Sequence, residues 1–431
     1  MYYVFALVAL FSFGFAFPTV LAVAKIAFVA FIVLVVVDVY WLFGINWTLK
    51  FERIVDDKLS NGDNNLVRYL VSGLLPFKSK LVLIDEFPVQ LQLRERRIQS
   101  DRNSLEFEIQ IEEYIKPLSR GEYAFGKSHV LVFTPLNLVS KQVTFDNERV
   151  CKVYPSFMQY KKYVFLALNN RLKEVGVKKI RQLGGVTEFE QIKEYVRGDD
   201  YRRINWKATA RKESLMVNHY DDEKAQNIYL LIDKGRMMQM PFNGMALFDY
   251  AINSALVMAG IALRKGDKAG LITFSNLIGT FLDANHGKTQ INNITEELYK
   301  QQNRNKETDY LRLLKNVRTR IKRRSLFMLF TNFESSVSLE RQMPYLKALA
   351  KYHVLILILF ENKEVVELAN SKVNGNKEFF DQALAEKQVL EKEGMAIELK
   401  KEGIYSIITA PEELSLNTIN KYLELKSKGV I

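Results

Sequence analysis

Apolar positions along the chain follow three successive patterns. The first is continuous. Tyr2 to Phe17 carries no charged side chain, Pro18 and Thr19 interrupt it, and a second apolar run extends from Ile26 to Ile45. The second run has about the length needed to span a bilayer. A secretory signal fits poorly, because no basic residue precedes the first run and a longer run follows it. The pattern predicts a two-helix transmembrane hairpin over residues 1–47. A hairpin leaves both its ends on one side. Lys50, Arg53, Lys58 and Arg68 follow the second run, whereas the turn offers only Lys25. The positive-inside asymmetry therefore puts the remaining chain in the cytoplasm. Tyr40, Trp41 and Trp47 are placed to form an interfacial belt. Asp38 sits inside the second run. Either it meets a partner between helices, or the span begins earlier and the carboxylate lies near the headgroups.

The second pattern is short alternation. In "LEFEIQIEEYIKP", Leu105, Phe107, Ile109 and Ile111 alternate with polar residues, the period of a half-buried strand. "KLVLIDEFP" and "HVLVFTPL" read the same way, and "RGEYAFG" reads as a turn into a strand. Residues 48–155 are expected to form a β-sandwich-like domain. No cluster of metal-ligating residues occurs in it.

The third pattern alternates buried strands with helices over residues 227–431. "NIYLLIDK", "KAGLITFS", "SLFMLFTNF", "HVLILILFEN" and "GIYSIITA" are the strands. "MALFDYAINSALVMAGIALRKG" and "LERQMPYLKALAK" are two of the helices, and "IGTFLD" is a hairpin partner for the second strand. Such alternation means an α/β domain with a mostly parallel sheet covered on both faces. Sites in such sheets lie at the carboxyl ends of the strands. That directs attention to Asp233, Ser275, Asn332 and Glu361, with Thr331 and Glu361 keeping the face polar.

Composition changes the picture in two ways. The 431 residues carry a net charge of +12, which favours anionic partners. Seven of the cations lie between Lys161 and Arg181, against the single Glu174, in a segment read as linker and signature over 156–226. An anionic lipid surface is one reading of this run, and a solvated helix face is the other. Nucleic acid is disfavoured, since no recognised motif accompanies the charge. The single cysteine, Cys151, excludes an intrachain disulfide, and with only four histidines a structural zinc site is not expected.

The α/β region is similar to the von Willebrand factor A fold: a first strand ending in Asp, a long apolar helix, then "GLITFS". That fold often holds a divalent metal at its strand ends. Its ligand pattern maps here onto Asp233, Gly235, Met237, Thr308 and Asn332. Gly and Met supply no side-chain oxygen and Asn no charge, so the resemblance implies a degenerate site, with no cofactor expected and Mg²⁺ the ion that could be tried there. Asp233 is expected to be held by a basic side chain instead.

The stretch "YVRGDDYRRINWKATARKESLMV" has a closer counterpart. It resembles the signature of a bacterial family, domain of unknown function fifty-eight, through Tyr195, Gly198, Asp199, Asp200, Arg202, Ile204, Trp206, Ala210 and Arg211. The family layout of paired membrane helices, β domain, signature and A-type domain matches nearly the whole chain. The resemblance implies a partner, an AAA+ ATPase of the MoxR type, and a bacterial inner-membrane location. From the residues themselves, Gly198 permits a turn and Asp199 or Asp200 can cap a helix starting near Tyr201. Ile204 and Ala208 would share one face of it, and Arg203, Lys207 and Arg211 would form a basic stripe available to stack on Trp206 or to dock a partner. Adjacent carboxylates diverge, and no His or Cys accompanies them, so catalysis by the signature is disfavoured. The expected role is non-enzymatic: interaction or adaptor protein. The rival readings are a hydrolase using the signature, and an anionic-lipid or nucleic-acid binder using the basic run.

Overall fold

The computed structural model describes residues 2–15, 17–93, 97–102, 106–168, 189–196, 201, 204–212, 214–220, 225–371 and 376–431. Its chain divides into two compact units, one of residues 1–59 and 64–153, the other of residues 60–63 and 154–431.

The first unit opens with helices α1 (Tyr2–Gly14) and α2 (Pro18–Val39), the latter started by Pro18 and continued by a π-helical turn over Tyr40–Gly44. At 1.5 Å per residue the 13 residues of α1 reach only about 20 Å, short of a bilayer core of about 30 Å. The 27 residues of α2 and its extension, uncharged apart from Lys25 and Asp38, are long enough to cross. Phe11 and Phe28 meet edge to face where the two helices touch.

Ten strands follow: β1 (Thr48–Val55), β2 (Lys58–Ser60), β3 (Asn65–Leu74), β4 (Ser79–Asp85), β5 (Arg97–Arg102), β6 (Glu106–Ile115), β7 (Gly121–Phe125), β8 (Ser128–Phe133), β9 (Ser140–Phe145) and β10 (Arg149–Tyr154). They make the sheets β1-β3-β6 and β5-β4-β8-β9, both antiparallel, and β2-β10-β7, in which β10 and β7 pair antiparallel. The alternation read in the sequence is the inward face: Val67, Tyr69, Val71, Phe107, Ile109, Leu81, Leu83, Val130 and Val132 are buried in one core. The region is β-sandwich-like.

That core also holds an ion pair. Arg53 Nη1 lies 2.7 Å from Asp85 Oδ1, and both side chains are buried. Arg53 also donates to the carbonyls of Gly126 and Asn147, while Tyr69 and Ser128 donate to Asp85. Arg53 was counted above among the cations flanking the membrane. It is instead an interior residue, because β1 turns that position toward the core.

Asp38 is likewise buried. Its carboxylate accepts from the Thr134 hydroxyl and from the backbone N–H groups of Leu138 and Val139, in the loop between β8 and β9. Its partner is therefore the sandwich, not a second helix. Lys141 completes the joint, donating to the Leu42 carbonyl with its ammonium over the rings of Phe43 and Trp47.

The second unit begins with α3 (Phe157–Leu168), the start of the segment read as a linker. The rest of the basic run, Arg171 to Arg181, lies outside the described residues. Next come β11 (Phe189–Glu194), α4 (Trp206–Lys212) and β12 (Met216–Tyr220), then β13 (Asn227–Asp233), the short hairpin β14 (Pro241–Phe242) and β15 (Met245–Ala246), and α5 (Leu247–Arg264). The remainder is β16 (Lys268–Phe274), β17 (Ile278–Asn285), α6 (Lys288–Lys300), α7 (Tyr310–Arg320), β18 (Leu326–Phe330), α8 (Ser336–Ala350), β19 (Val354–Phe360), α9 (Lys363–Ala369), α10 (Asn376–Lys401), β20 (Tyr405–Thr409) and α11 (Leu414–Ser427).

Six strands form one mixed sheet, β17-β16-β13-β18-β19-β20, parallel except for the edge strand β17. The continuous apolar strands are buried on both faces. Residues of α5, α6 and α11 cover one, and residues of α7, α8 and α10 cover the other. Helix α5 is apolar enough to pass for a membrane span, but it is a core helix. Packing is so close there that a Cβ on Gly260 would lie 2.2 Å from the ring of Tyr160 on α3.

Candidate functional site

The strands β13, β18 and β19 end together, and their last residues make two adjoining structures. The first is a cage around Asp233. Its Oδ1 accepts from the N–H of Gly235 at 2.7 Å and from Thr308 Oγ1 at 2.6 Å. Its Oδ2 accepts from Thr331 Oγ1 at 2.7 Å, and Thr331 Oγ1 in turn accepts at 2.7 Å from the Tyr310 hydroxyl, which lies 3.4 Å from Oδ2. Burial pushes the carboxyl pKa up, and these polar neighbours pull against it. No basic side chain is among these partners, which corrects the expectation above. Lys234 is turned away, its ammonium 2.8 Å from Gln301 Oε1.

The cage brings Asp233, Gly235 and Thr308 together, as the metal pattern requires, but in a form that does not fit a metal. A carboxylate offers about four lone-pair sites, and three short bonds, from Gly235, Thr308 and Thr331, already occupy them here, with the Tyr310 hydroxyl closing the fourth side. A side chain at Gly235 would begin 2.1 Å from Thr308 Oγ1. A serine there would have to displace a hydroxyl that Asp233 already holds.

The other two positions of that pattern, Met237 and Asn332, lie in the second structure. This is a recess of about 340 Å³ lined by the residues that follow β18, by the end of β19, by α9 and α10, and by Met237 and Met240. Met237, Met240, Phe360, Val365 and Val366 give it apolar walls, and Glu334, Glu361 and Glu391 place carboxylates around it. Lys392 enters from α10 and donates to Asn332 Oδ1 at 2.6 Å and to the Phe333 carbonyl at 2.8 Å. Burial lowers its pKa to about 8, with Glu361 opposing the shift. An apolar recess at strand ends with convergent polar groups and a shifted amine is what ligand sites look like. Sequence reasoning reached Asn332 and Glu361 from the strand ends. It missed Lys392, which sits mid-helix among many exposed charges and carries no local mark.

The signature folds differently from expectation. Gly198, Asp199, Asp200, Arg202 and Arg203 lie outside the described residues. Helix α4 starts at Trp206 rather than Tyr201, because Asn205 caps it: the Asn205 side chain accepts from the N–H of Ala208 at 3.1 Å. Ile204 is therefore not on the helix with Ala208 but forms an antiparallel bridge with Val217. Strands β11 and β12 pair antiparallel, and Tyr195 joins them through its N–H to the Leu215 carbonyl. Thr209 Oγ1 accepts from the N–H of Met216, so helix and ribbon are tied at both ends of α4. Lys207, Ala210 and Arg211 are exposed, as is Trp206 at 70%. Ser275, the remaining strand-end residue, is buried and donates to Asn276.

Residues 191–392 match the family described as "Protein of unknown function DUF58". The chain is similar to that family over this segment, a little under half of its length. The matched segment runs from within β11 to Lys392 and holds most of the signature ribbon, the Asp233 cage and most of the recess lining. The chain is also similar to a curated relative, "Uncharacterized protein YeaD" of Bacillus subtilis (strain 168), 26% identical over 160 residues. That alignment covers 35% of this chain and 36% of the relative, so the chain spans about a third of the relative's length. Among solved structures, proximal thread matrix protein 1 from the mussel byssus is similar with 18% identity and a TM-score of 0.29, over 47% of each chain. The uncharacterized membrane spanning protein of Vibrio fischeri is similar with 14% identity and a TM-score of 0.18, over 47% of this chain and 99% of that one. Likenesses this slight carry no weight for function.

Proposed function

We propose that this chain is a membrane-anchored, non-enzymatic interaction protein that docks its partner at the strand-end recess, without a metal. The observation carrying this reading is the internal satisfaction of the strand ends. Hydroxyls and one N–H occupy Asp233, Lys392 occupies Asn332, and beside them an apolar recess stays open. Carboxylates around apolar walls suit a partner side chain with an apolar stem and a cationic end. The reading takes the α/β unit as von Willebrand A-like and α1–α2 as the membrane anchor, with α2 and its extension as the crossing helix and both units in the cytoplasm. The family resemblance makes a MoxR-type AAA+ ATPase the partner, with the exposed signature residues Trp206, Lys207 and Arg211 as a second contact. Cys151, the one thiol, supports a non-enzymatic role: it is buried in the sandwich, and burial raises its pKa, which makes it a poor nucleophile.

The test is crosslinked capture from native membranes, with and without EDTA. Wild type, Glu361→Lys and Lys207→Glu/Arg211→Glu are compared. Recovery of an AAA+ ATPase that survives EDTA and is lost with Glu361→Lys supports docking at the recess. Equal recovery with folded Glu361→Lys removes the recess from the function, and recovery abolished by EDTA removes the metal-free reading.

A further inference from the structure

The opposite end of the same sheet carries a second recess, independent of the one above. The sequence from Lys315 to Arg324, "KNVRTRIKRR", holds six cations and no carboxylate. Cations in the last turn of α7 complement the helix dipole, which accounts for Arg318 and Arg320. It does not account for Lys322, Arg323 and Arg324, which follow the helix end. Arg320 is drawn aside over the ring of Phe281. Arg318, Lys322 and Arg324 instead line a recess of about 470 Å³ between the carboxyl ends of α7 and α8.

The recess has a built interior. Leu314, Val317, Ile321 and Leu349 form an apolar floor, and no residue lining it is acidic. Arg318 lies 5.4 Å from the centre of the Tyr352 ring, which holds the guanidinium in place. Among the described residues, no ion pair engages any of the three cations. At the back sits His353, 7% exposed, its ring stacked on Phe327 at 4.3 Å. Its Nδ1 is buried and has no hydrogen-bond partner. A buried polar atom without a protein partner is costly and calls for an explanation, of which a functional role is one.

We propose that this recess binds a phosphorylated ligand, with the phosphoryl group among Arg318, Lys322 and Arg324 and the body of the ligand over the apolar floor toward His353. Guanidinium groups match phosphate oxygens two at a time, and unpaired cations around an apolar floor leave the charge free for the ligand. Free nucleotides and acidic lipid headgroups share this chemistry.

The experiment uses the full chain in phosphatidylcholine nanodiscs. It is titrated with ATP and with inorganic pyrophosphate, and tested for association with phosphatidylglycerol vesicles. Arg318→Gln/Lys322→Gln/Arg324→Gln should weaken binding on the order of tenfold or more, given the strength of charge-assisted pairs. His353→Phe keeps the stack on Phe327 and should weaken ATP while leaving pyrophosphate unchanged. Binding of ATP and pyrophosphate identifies a free phosphorylated ligand. Binding of vesicles alone identifies a headgroup. If none of the three probes binds, or if a triple variant with wild-type melting binds as well as wild type, the proposal is wrong. Should the triple variant misfold, Lys322→Gln decides, since this exposed residue must by itself weaken binding about threefold.

Discussion

The ammonium of Lys392 lies 2.6 Å from the side-chain oxygen of Asn332, although 60 residues separate them. A cation supplied by α10 thus meets the end of β18 from within the chain.

Lys392 should titrate near pH 8, and stability should follow. Its folded pKa is below the unfolded value of 10.5, so between about pH 8 and 10.5 the unfolded chain binds the extra proton and stability rises with pH. Below pH 8 the full cost of burying the ammonium is present. Lys392→Met removes that cost but leaves Asn332 short of a donor. The expected outcome is a gain of about 1–2 kcal/mol at pH 7 that shrinks by pH 10, measured by urea unfolding at both values. A gain independent of pH would mean that the amine is not the cause.

Gly235→Ser should destabilise the fold and should not create a metal site. Its new Cβ starts 2.1 Å from Thr308 Oγ1 and must push that hydroxyl off Asp233. The expected cost is roughly 2 kcal/mol. Thermal melting with and without Mg²⁺ checks both halves: Mg²⁺-dependent recovery would refute the steric account.

Asp233→Ala takes the acceptor away from the Thr308 hydroxyl, the Gly235 N–H and the bonded Thr331–Tyr310 hydroxyl pair, and should cost about 3 kcal/mol or more. Asp233→Asn should cost clearly less. Burial has already raised the carboxyl pKa, so removing the charge relieves a penalty that grows as pH rises. The two variants compared by denaturant midpoint at pH 7 test this, and equal losses would show that the ionised form is essential.

His353 should make the protein acid-sensitive. Burial lowers its pKa to about 4, so the unfolded state binds its proton first as pH falls from 6.5. The stability lost between pH 6.5 and 4 is about 3 kcal/mol. His353→Phe should flatten that part of the curve, seen in melting temperatures from pH 4 to 7. An unchanged slope would place the acid sensitivity elsewhere.

The α/β sheet was legible in the chain because its strands are buried on both faces and written as unbroken apolar runs. The sandwich showed itself through alternation, as at Phe107 and Ile109. The site was half legible. Strand ends pointed to Asp233, Asn332 and Glu361, and nothing local marked Lys392, whose role depends on where α10 lands. Similarly, the charges of Arg53 and Asp38 read as membrane features, because only tertiary structure reveals their partners, Asp85 and the β8–β9 loop. In the signature, spacing at four suggested a helix from Tyr201, but pairing of Ile204 with Val217 overrode it.

Asp38 has a mechanical meaning. The apolar helix is fastened to the sandwich by three hydrogen bonds at its carboxylate and by Lys141 gripping the turn beyond it. A joint pinned at several points bears torque, where a slack tether bears only tension. Any tilt or rotation of α2 is passed directly to β8 and β9, and the sandwich acts as a lever whose fulcrum is the end of that helix.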